Sequence, residues 1–248
     1  MGRVAVVTGG GRGIGAATAR LLAVHGWDVC VSYRVDAEAA ERVVDGCRAA
    51  GHRAIAASAD VSSERDVVRL FERVDAELGR LGALVNNAGV VAPRSRVEDM
   101  TVERLERMMA VNVLGSFLCA REAVRRMSSH NGGDGGVIVN VSSVASRLGS
   151  AGEYVDYAAS KGAIDSMTIG LAREVAGEGI RVNAVRPGII DTDIHAGGGQ
   201  PDRVARIGPQ TPAGRAGDPT EVAAAIAWLC SDASSYVTGA LLDVSGGR

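Results

Sequence analysis

Lysine is all but missing from this chain: of its 27 lysines and arginines, only Lys161 is a lysine. A guanidinium stays charged and presents a planar fork, whereas an ammonium is a compact charge whose pKa can be moved. A sequence that uses arginine everywhere else marks this one position as needing an amine. Cysteine is sparse as well. Cys30, Cys47, Cys119 and Cys230 are widely scattered, with no C-x-x-C and no histidine at ligand spacing, which argues against a disulfide framework or a zinc site and predicts a reducing compartment. His25, His52, His130 and His195 are isolated from one another, so no metal site is expected. Aromatic residues make up 3%, too few for a platform that stacks bases. The net charge is -2 with the signs interspersed, so neither nucleic acid nor an anionic membrane is an expected partner. Long apolar runs are also lacking. Val4 to Val7 is the only apolar stretch before Thr8 and the glycines, too short for a signal peptide or a membrane span. A small-molecule partner and a cytoplasmic location are the expectations that remain.

What is present reads as alternating strands and helices. At 248 residues the chain fits one α/β domain spanning 1–248, with no linker or repeat to divide it. The β-branched run Arg3 to Val7 ends in Thr8-Gly9-Gly10-Gly11-Arg12-Gly13-Ile14-Gly15. Ile14, Ala17, Leu21 and Val24 then recur at helical spacing up to Gly26, and Asp28 to Tyr33 is a second strand. This is a βαβ unit of dinucleotide-binding length, whose glycines let a pyrophosphate approach the amides at a helix start. At the end of the second strand, where an acid usually holds the ribose hydroxyls of NAD, stands Ser32-Tyr33-Arg34. Arg34 and Arg12 are instead suited to a 2′-phosphate, which favours NADP(H) over NAD(H); Asp36 keeps NAD open.

A helix over Ala37 to Ala50 and a third strand over Ala54 to Ala59 lead to Asp60-Val61. Asp60 lies where an adenine would rest, or caps the helix that follows Ser62. A fourth strand, Ala83 to Val85, runs into Asn86-Asn87-Ala88-Gly89, small and amide residues suited to close approach of a ribose. One long amphipathic pattern spans Val102 to Met127 with Asn112 in its middle, a polar amide that needs a partner. Val137 to Val141 is a fifth strand delivering Ser142 and Ser143, and Ile180 to Val185 a sixth. Beyond Pro187-Gly188, the stretch from Ile189 to Thr211 has little apolar periodicity and reads as a mobile lid over a substrate. A helix over Pro219 to Cys230 and a strand over Leu241 to Val244 complete the chain.

Tyr157 precedes Lys161 by one helical turn, which puts their Cβ atoms roughly 5–6 Å apart on one face. A cation about 4 Å from a phenol at an effective dielectric near 20 favours the phenolate by roughly 4 kcal/mol, about three pKa units. The spacing therefore predicts a tyrosine whose pKa is lowered toward neutrality, where a general acid or base works best.

Thr8-Gly9 with Gly13 and Gly15, Asn86-Asn87-Ala88-Gly89, Asn112, Ser143, Tyr157 with Lys161, and Pro187-Gly188 with Thr192 resemble the classical short-chain dehydrogenase/reductase family over the whole chain. The resemblance implies a Rossmann-type, doubly wound parallel sheet of about seven strands with helices on both faces. It also implies a nicotinamide cofactor held by Gly9, Gly11, Arg12, Gly13, Ile14, Arg34, Asp60, Val61, Asn87, Ala88, Gly89, Tyr157, Lys161, Pro187, Gly188, Ile190 and Thr192. In the catalytic tetrad so implied, Tyr157 exchanges a proton with the substrate oxygen and Ser143 hydrogen-bonds that oxygen. Lys161 lowers the tyrosine pKa, and Asn112 anchors a water that links Lys161 to solvent. Thr192 and the backbone near Ile190 grip the carboxamide. One departure stands out: Ser143 to Tyr157 is one residue longer than the family's usual spacing, which leaves Ser142 open as the serine of the pair. The expected activity is that of an NADP-dependent carbonyl reductase or alcohol dehydrogenase assembled as a homotetramer. A 3-oxoacyl-(acyl carrier protein) reductase and a dinucleotide sensor without chemistry are the alternatives.

Overall fold

The computed structural model describes residues 3–248 and contains one sheet of seven strands. These are β1 (Arg3–Val7), β2 (Trp27–Tyr33), β3 (Ala54–Ser58), β4 (Leu81–Asn86), β5 (Gly136–Val141), β6 (Ile180–Pro187) and β7 (Leu241–Val244). Every neighbouring pair is parallel, in the order β3-β2-β1-β4-β5-β6-β7. The helices are α1 (Gly13–Val24), α2 (Ala37–Ala49), α3 (Glu64–Glu77), α4 (Val102–Met109), α5 (Gly115–Met127), α6 (Ala145–Leu148), α7 (Val155–Val175), α8 (Ile194–Gly197), α9 (Arg203–Ile207) and α10 (Pro219–Leu229). The doubly wound parallel architecture expected from the sequence is the one observed.

A parallel sheet covered on both faces needs strands that are apolar throughout. Val4, Ala5, Val6 and Val7 meet that demand by being buried one after another. The helices answer with one apolar stripe each: Ala40, Val43, Val44 and Cys47 on α2, and Val67, Leu70, Phe71 and Val74 on α3, follow the i, i+3, i+4, i+7 spacing. Two cores result. Leu22, Val43, Val44, Ile226 and Leu229 pack on one face of the sheet, and Leu70, Phe71, Met127, Ile164 and Val175 on the other. Each such side chain contributes roughly 1.5–3 kcal/mol through burial.

β1 pairs with both β2 and β4, so the direction of winding reverses there and a crevice opens beyond the carboxyl ends of these strands. Thr8 closes its floor. Its Oγ1 accepts from the amides of Asn87 and Ala88, both at 3.0 Å, and the Asn87 side chain donates to the carbonyls of Thr8 and Gly9 at 2.9 and 3.0 Å.

The structure corrects several local expectations. The pattern from Val102 to Met127 is not one helix: a π turn over Ala110–Leu114 separates α4 from α5. Asn112 lies in that turn, where a widened helix lets its amide reach inward. The helix after Ser62 is capped by Ser63, whose side chain accepts from the Asp66 amide at 3.3 Å, and not by Asp60. Asp36 is likewise occupied as the cap of α2, accepting from the Ala39 amide at 2.9 Å. The stretch from Ile189 to Thr211 is more ordered than its aperiodic sequence predicted. It holds α8 and α9, and Gln200 and Arg203 are buried in it.

Candidate active site

A cavity of about 910 Å³ runs along the crevice, with the glycine turn at one end and Ser143, Tyr157 and Lys161 further along. At the first end, the backbone geometry forces the glycines. Gly9 has φ +61, and a Cβ there would come within 3.0 Å of the Ala88 Cα; a Cβ on Gly15 would meet the Asn87 Nδ2 at 2.5 Å. The helix that begins at Gly13 has no side-chain cap and no acid in its first turn, so its amides and positive dipole end are available to an anion. Gly11, Arg12, Gly13 and Ile14 line the cavity here. A dinucleotide pyrophosphate fits this cradle.

Arg34, just past β2, lines the same cavity, with Nη1 4.0 Å from Asp60 Oδ2. Burial pushes the Asp60 carboxyl up, but hydrogen bonds from Ser62 together with the Arg34 and Arg107 guanidiniums more than offset it and hold the pKa below the usual carboxylate range. Asp60 Oδ1 is committed to the amide and hydroxyl of Ser62, at 3.0 and 2.6 Å. Val61, Asn87, Ala88 and Gly89 line the cavity as well, as do Pro187, Gly188, Ile190 and Thr192. Thr192 also faces the glycine turn, since a Cβ on Gly13 would lie 3.1 Å from its methyl.

The tetrad residues come from three places, the π turn (Asn112), the loop after β5 (Ser143) and α7 (Tyr157 and Lys161), and converge. Gly89 is the hub, because a Cβ there would lie 3.4 Å from Asn112 Oδ1 and 3.6 Å from Lys161 Nζ. Asn112 is buried and fully engaged: its Oδ1 accepts from the Val90 amide at 2.8 Å, while Nδ2 donates to the Val90 carbonyl and to Ser160 Oγ, both at 3.0 Å. The side chain thus clamps the loop after β4 to α7. Lys161 Nζ donates to the Val141 carbonyl at 2.7 Å and sits 5.6 Å from the centre of the Tyr157 ring. A buried polar ladder sets these strands and α7 in register: Asn86 donates to Asn140 at 3.0 Å, and Asn140 to Thr168 at 2.9 Å.

The two serines part company. Ser142 turns away and donates to Asp165 at 2.6 Å and to the Lys161 carbonyl at 3.2 Å. Ser143 lines the cavity and is the side-chain hydrogen-bond partner of the Tyr157 phenol. The longer loop therefore leaves Ser143 as the serine beside the tyrosine. A second expectation is overturned. Burial raises the Tyr157 pKa, and the Ser143 hydrogen bond offsets only part of that rise. Lys161 does not supply the expected downward pull, and burial lowers its own pKa to about 8, with Asp165 opposing.

Beyond the tetrad, the cavity is walled by Glu153, in the lengthened loop after Ser143, and by residues that the sequence did not point to: Tyr154, Arg203 and Arg248, with Arg107 near Asp60. The Tyr154 hydroxyl donates to the Gly198 carbonyl at 3.3 Å and is also bonded by Gln200, which ties the segment bearing α8 and α9 to the start of α7. His195 lines this end too, its Nε2 3.0 Å from the Ile190 carbonyl.

A family model described as enoyl-(acyl carrier protein) reductase matches residues 9–248. An uncharacterized oxidoreductase of Escherichia coli, YgfF, is 56% identical over 245 residues, 99% of each chain. A cis-4-hydroxycyclohexanecarboxylate dehydrogenase of Sinomonas cyclohexanicum is 44% identical over 245 residues, covering 99% of this chain and 96% of that one. The crystal structure of a short-chain dehydrogenase from Burkholderia cenocepacia in complex with NADP superposes with a TM-score of 0.91 at 34% identity, covering 100% of this chain and 98% of the other. By sheet order, cavity and kinship alike, the chain belongs to the short-chain dehydrogenase/reductase family and is an NAD(P)-dependent oxidoreductase that acts on hydroxyl or carbonyl groups.

Proposed function

We propose that this protein is an NADP-dependent reductase of ketones, reversible toward secondary alcohols, with Tyr157 as the general acid and base. The observation that carries this reading is the line-up along one cavity of two arginines at the glycine-turn end and the Ser143, Tyr157, Lys161 group further in. The nicotinamide, when bound, supplies or accepts the hydride. Tyr157, its pKa raised by burial, is protonated at neutral pH and can hand its proton to a carbonyl oxygen as charge builds there, which suits the direction of reduction. Ser143 donates to the same oxygen and stabilises that charge. Lys161 stands behind the ring, close enough to Gly89 to hold a ribose, and Asn112 keeps the wall beside it rigid. Thr192 and the Ile190 backbone, beside the glycine turn, are placed to hold a carboxamide.

Arg34 and Arg12 favour the phosphorylated cofactor. With Asp36 committed to capping α2, the end of β2 presents a guanidinium where an NAD site would present an acid. A charge-assisted hydrogen bond contributes about 1.5–3 kcal/mol. Arg34→Ala should therefore weaken NADPH binding roughly 10- to 100-fold and leave NADH binding nearly unchanged, measured by fluorescence titration of the two dinucleotides. Equal effects on both, or a wild-type protein that prefers NADH, would overturn the assignment.

The segment 189–211 serves as a lid latched by Tyr154. Asp134 and Glu178, the acids that in the sequence spoke against the carrier-protein alternative, precede β5 and β6 at the amino ends of the strands, away from the crevice, and so do not bear on it. Assembly as a homotetramer is supported by Met109, Leu114 and Phe117, which lie about half exposed along α4, the π turn and α5. A cytoplasmic location is supported by four free cysteines, all of them buried.

A further inference from the structure

The cavity carries more positive charge beyond Tyr157 than its own acids balance. Glu153 is the single carboxylate in this wall, and both its oxygens are engaged: Oε2 lies 2.8 Å from Arg203 Nη1 and Oε1 lies 3.5 Å from Arg94 Nε. Asp193 also lines the cavity, but at the glycine-turn end, where it shares a wall with Gly11, Arg12 and Thr192. Arg248 forms no ion pair among the described residues, and of the two guanidiniums that line this end of the cavity only that of Arg203 faces a side-chain carboxylate.

The arginines are also held in place. Arg203 is only 9% exposed, its guanidinium packed 5.3 Å from the Tyr154 ring centre. The Nη1 contact with Glu153 is an ion pair whose angle does not make a hydrogen bond, so a buried donor remains unsatisfied. Such a donor is costly unless a partner arrives. The Arg248 backbone is fixed by Arg147 Nη2 and Ser245 Oγ, which donate to its carbonyl at 2.7 and 3.0 Å. Its side chain reaches the cavity close enough to feel both Arg203 and Glu153. The buried Arg203 fork, stacked on the Tyr154 ring, and the unpaired Arg248 fork beside it match the two oxygens of a carboxylate.

We infer that Arg203 and Arg248 form an anion subsite for the carboxylate of the substrate, so that the protein acts on a keto acid and its hydroxy acid rather than on a neutral ketone. The inference rests on the carbonyl-reductase reading above, in that the carboxylate is held while the oxo group meets Tyr157 and Ser143. Neutral substrates would leave Arg248 without a counter-charge and the Arg203 Nη1 donor without a hydrogen-bond acceptor.

Calorimetric titration of the NADP+-loaded protein separates the two ideas, because a keto acid then forms a dead-end complex and no turnover is needed. Levulinate, its homologue with one more methylene and a cyclic keto acid are each compared with their methyl esters. At least one acid is expected to bind tenfold or more tightly than its ester, and Arg248→Met, checked for an unchanged melting temperature, should bring that ratio close to one. Ratios near one in the wild type, no binding by any acid, or a preference that survives Arg248→Met overturns the subsite. NADPH consumption with the esters and neutral ketones is read separately. If no carbonyl compound is reduced, the reductase reading fails, whatever the binding ratios show.

Discussion

The Lys161 side chain is almost wholly out of water, with a backbone carbonyl and the Asp165 carboxylate as its charge partners, and its pKa falls to about 8. In the unfolded chain the ordinary lysine value near 10.5 returns. Between these two values the unfolded state binds a proton that the folded state has released, so this residue makes stability rise with pH across that window and fall as pH drops through 8. The swing amounts to about 3 kcal/mol. Lys161→Met should remove it: in urea melts of the cofactor-free protein, the variant gains stability over wild type at pH 7, and the gain vanishes as the pH nears 10. The four buried cysteines, all with raised pKa, titrate in both proteins and cancel in the difference. A constant difference across the range would show that the amine is not desolvated. At this scale, the Tyr157 and Lys161 pair was legible because helical spacing and a unique lysine both survive translation into three dimensions. The sign of the tyrosine shift was not, since it depends on how deeply the pair is buried, and burial is set by chain segments far away in sequence. Glu153, Arg203 and Arg248 have no common spacing to betray them.

Among the elements, α4 and α7 are joined by a buried fork. Arg104 Nε and Nη2 donate to the two oxygens of Asp156 at 2.8 and 3.1 Å, with Asp156 in the first turn of α7, one residue before Tyr157. A carboxylate at that end is also favoured by the helix dipole. Removing one partner strands the other, at a cost of about 3–5 kcal/mol, whereas removing both costs much less. Arg104→Met should therefore lower stability by about 3 kcal/mol, and the double variant with Asp156→Leu should recover most of it, as read by chemical denaturation. If the double variant is worse than the single, the pair is not a coupled unit. The strands and the α1, α2, α3 and α10 helices were legible from periodicity alone, to within a residue or two at their ends. The π turn was not, because one extra residue in a helical turn leaves the apolar stripe looking continuous while rotating everything after it. The segment with α8 and α9 escaped for another reason: its burial comes from polar residues such as Gln200 and Arg203, which a search for apolar periodicity passes over.

For the molecule as a whole, Met109, Leu114 and Phe117, each about half exposed along α4, the π turn and α5, are the surface through which the proposed assembly would form. Charge placed at its centre should prevent association of copies through it. Phe117→Glu is expected to convert the proposed homotetramer into smaller species on light scattering with its far-UV spectrum retained, and an unchanged mass would count against association through this surface. Sheet order and cavity position were legible at this scale because a βαβ unit with a glycine turn leaves little choice about where a winding reversal lies. The proposed association of copies had only apolar residues on more than one helix face to point to it.

The scarcity of lysine has a practical side. Reagents that acylate amines ordinarily decorate a protein surface at many points, but on this chain, apart from the α-amino group, they have a single side chain to find. Lys161 combines a lowered pKa with 5% exposure. A covalent tag that does attach there marks the inside of the crevice, so the protein comes with a built-in, single-address reporter of whether that crevice is open or filled.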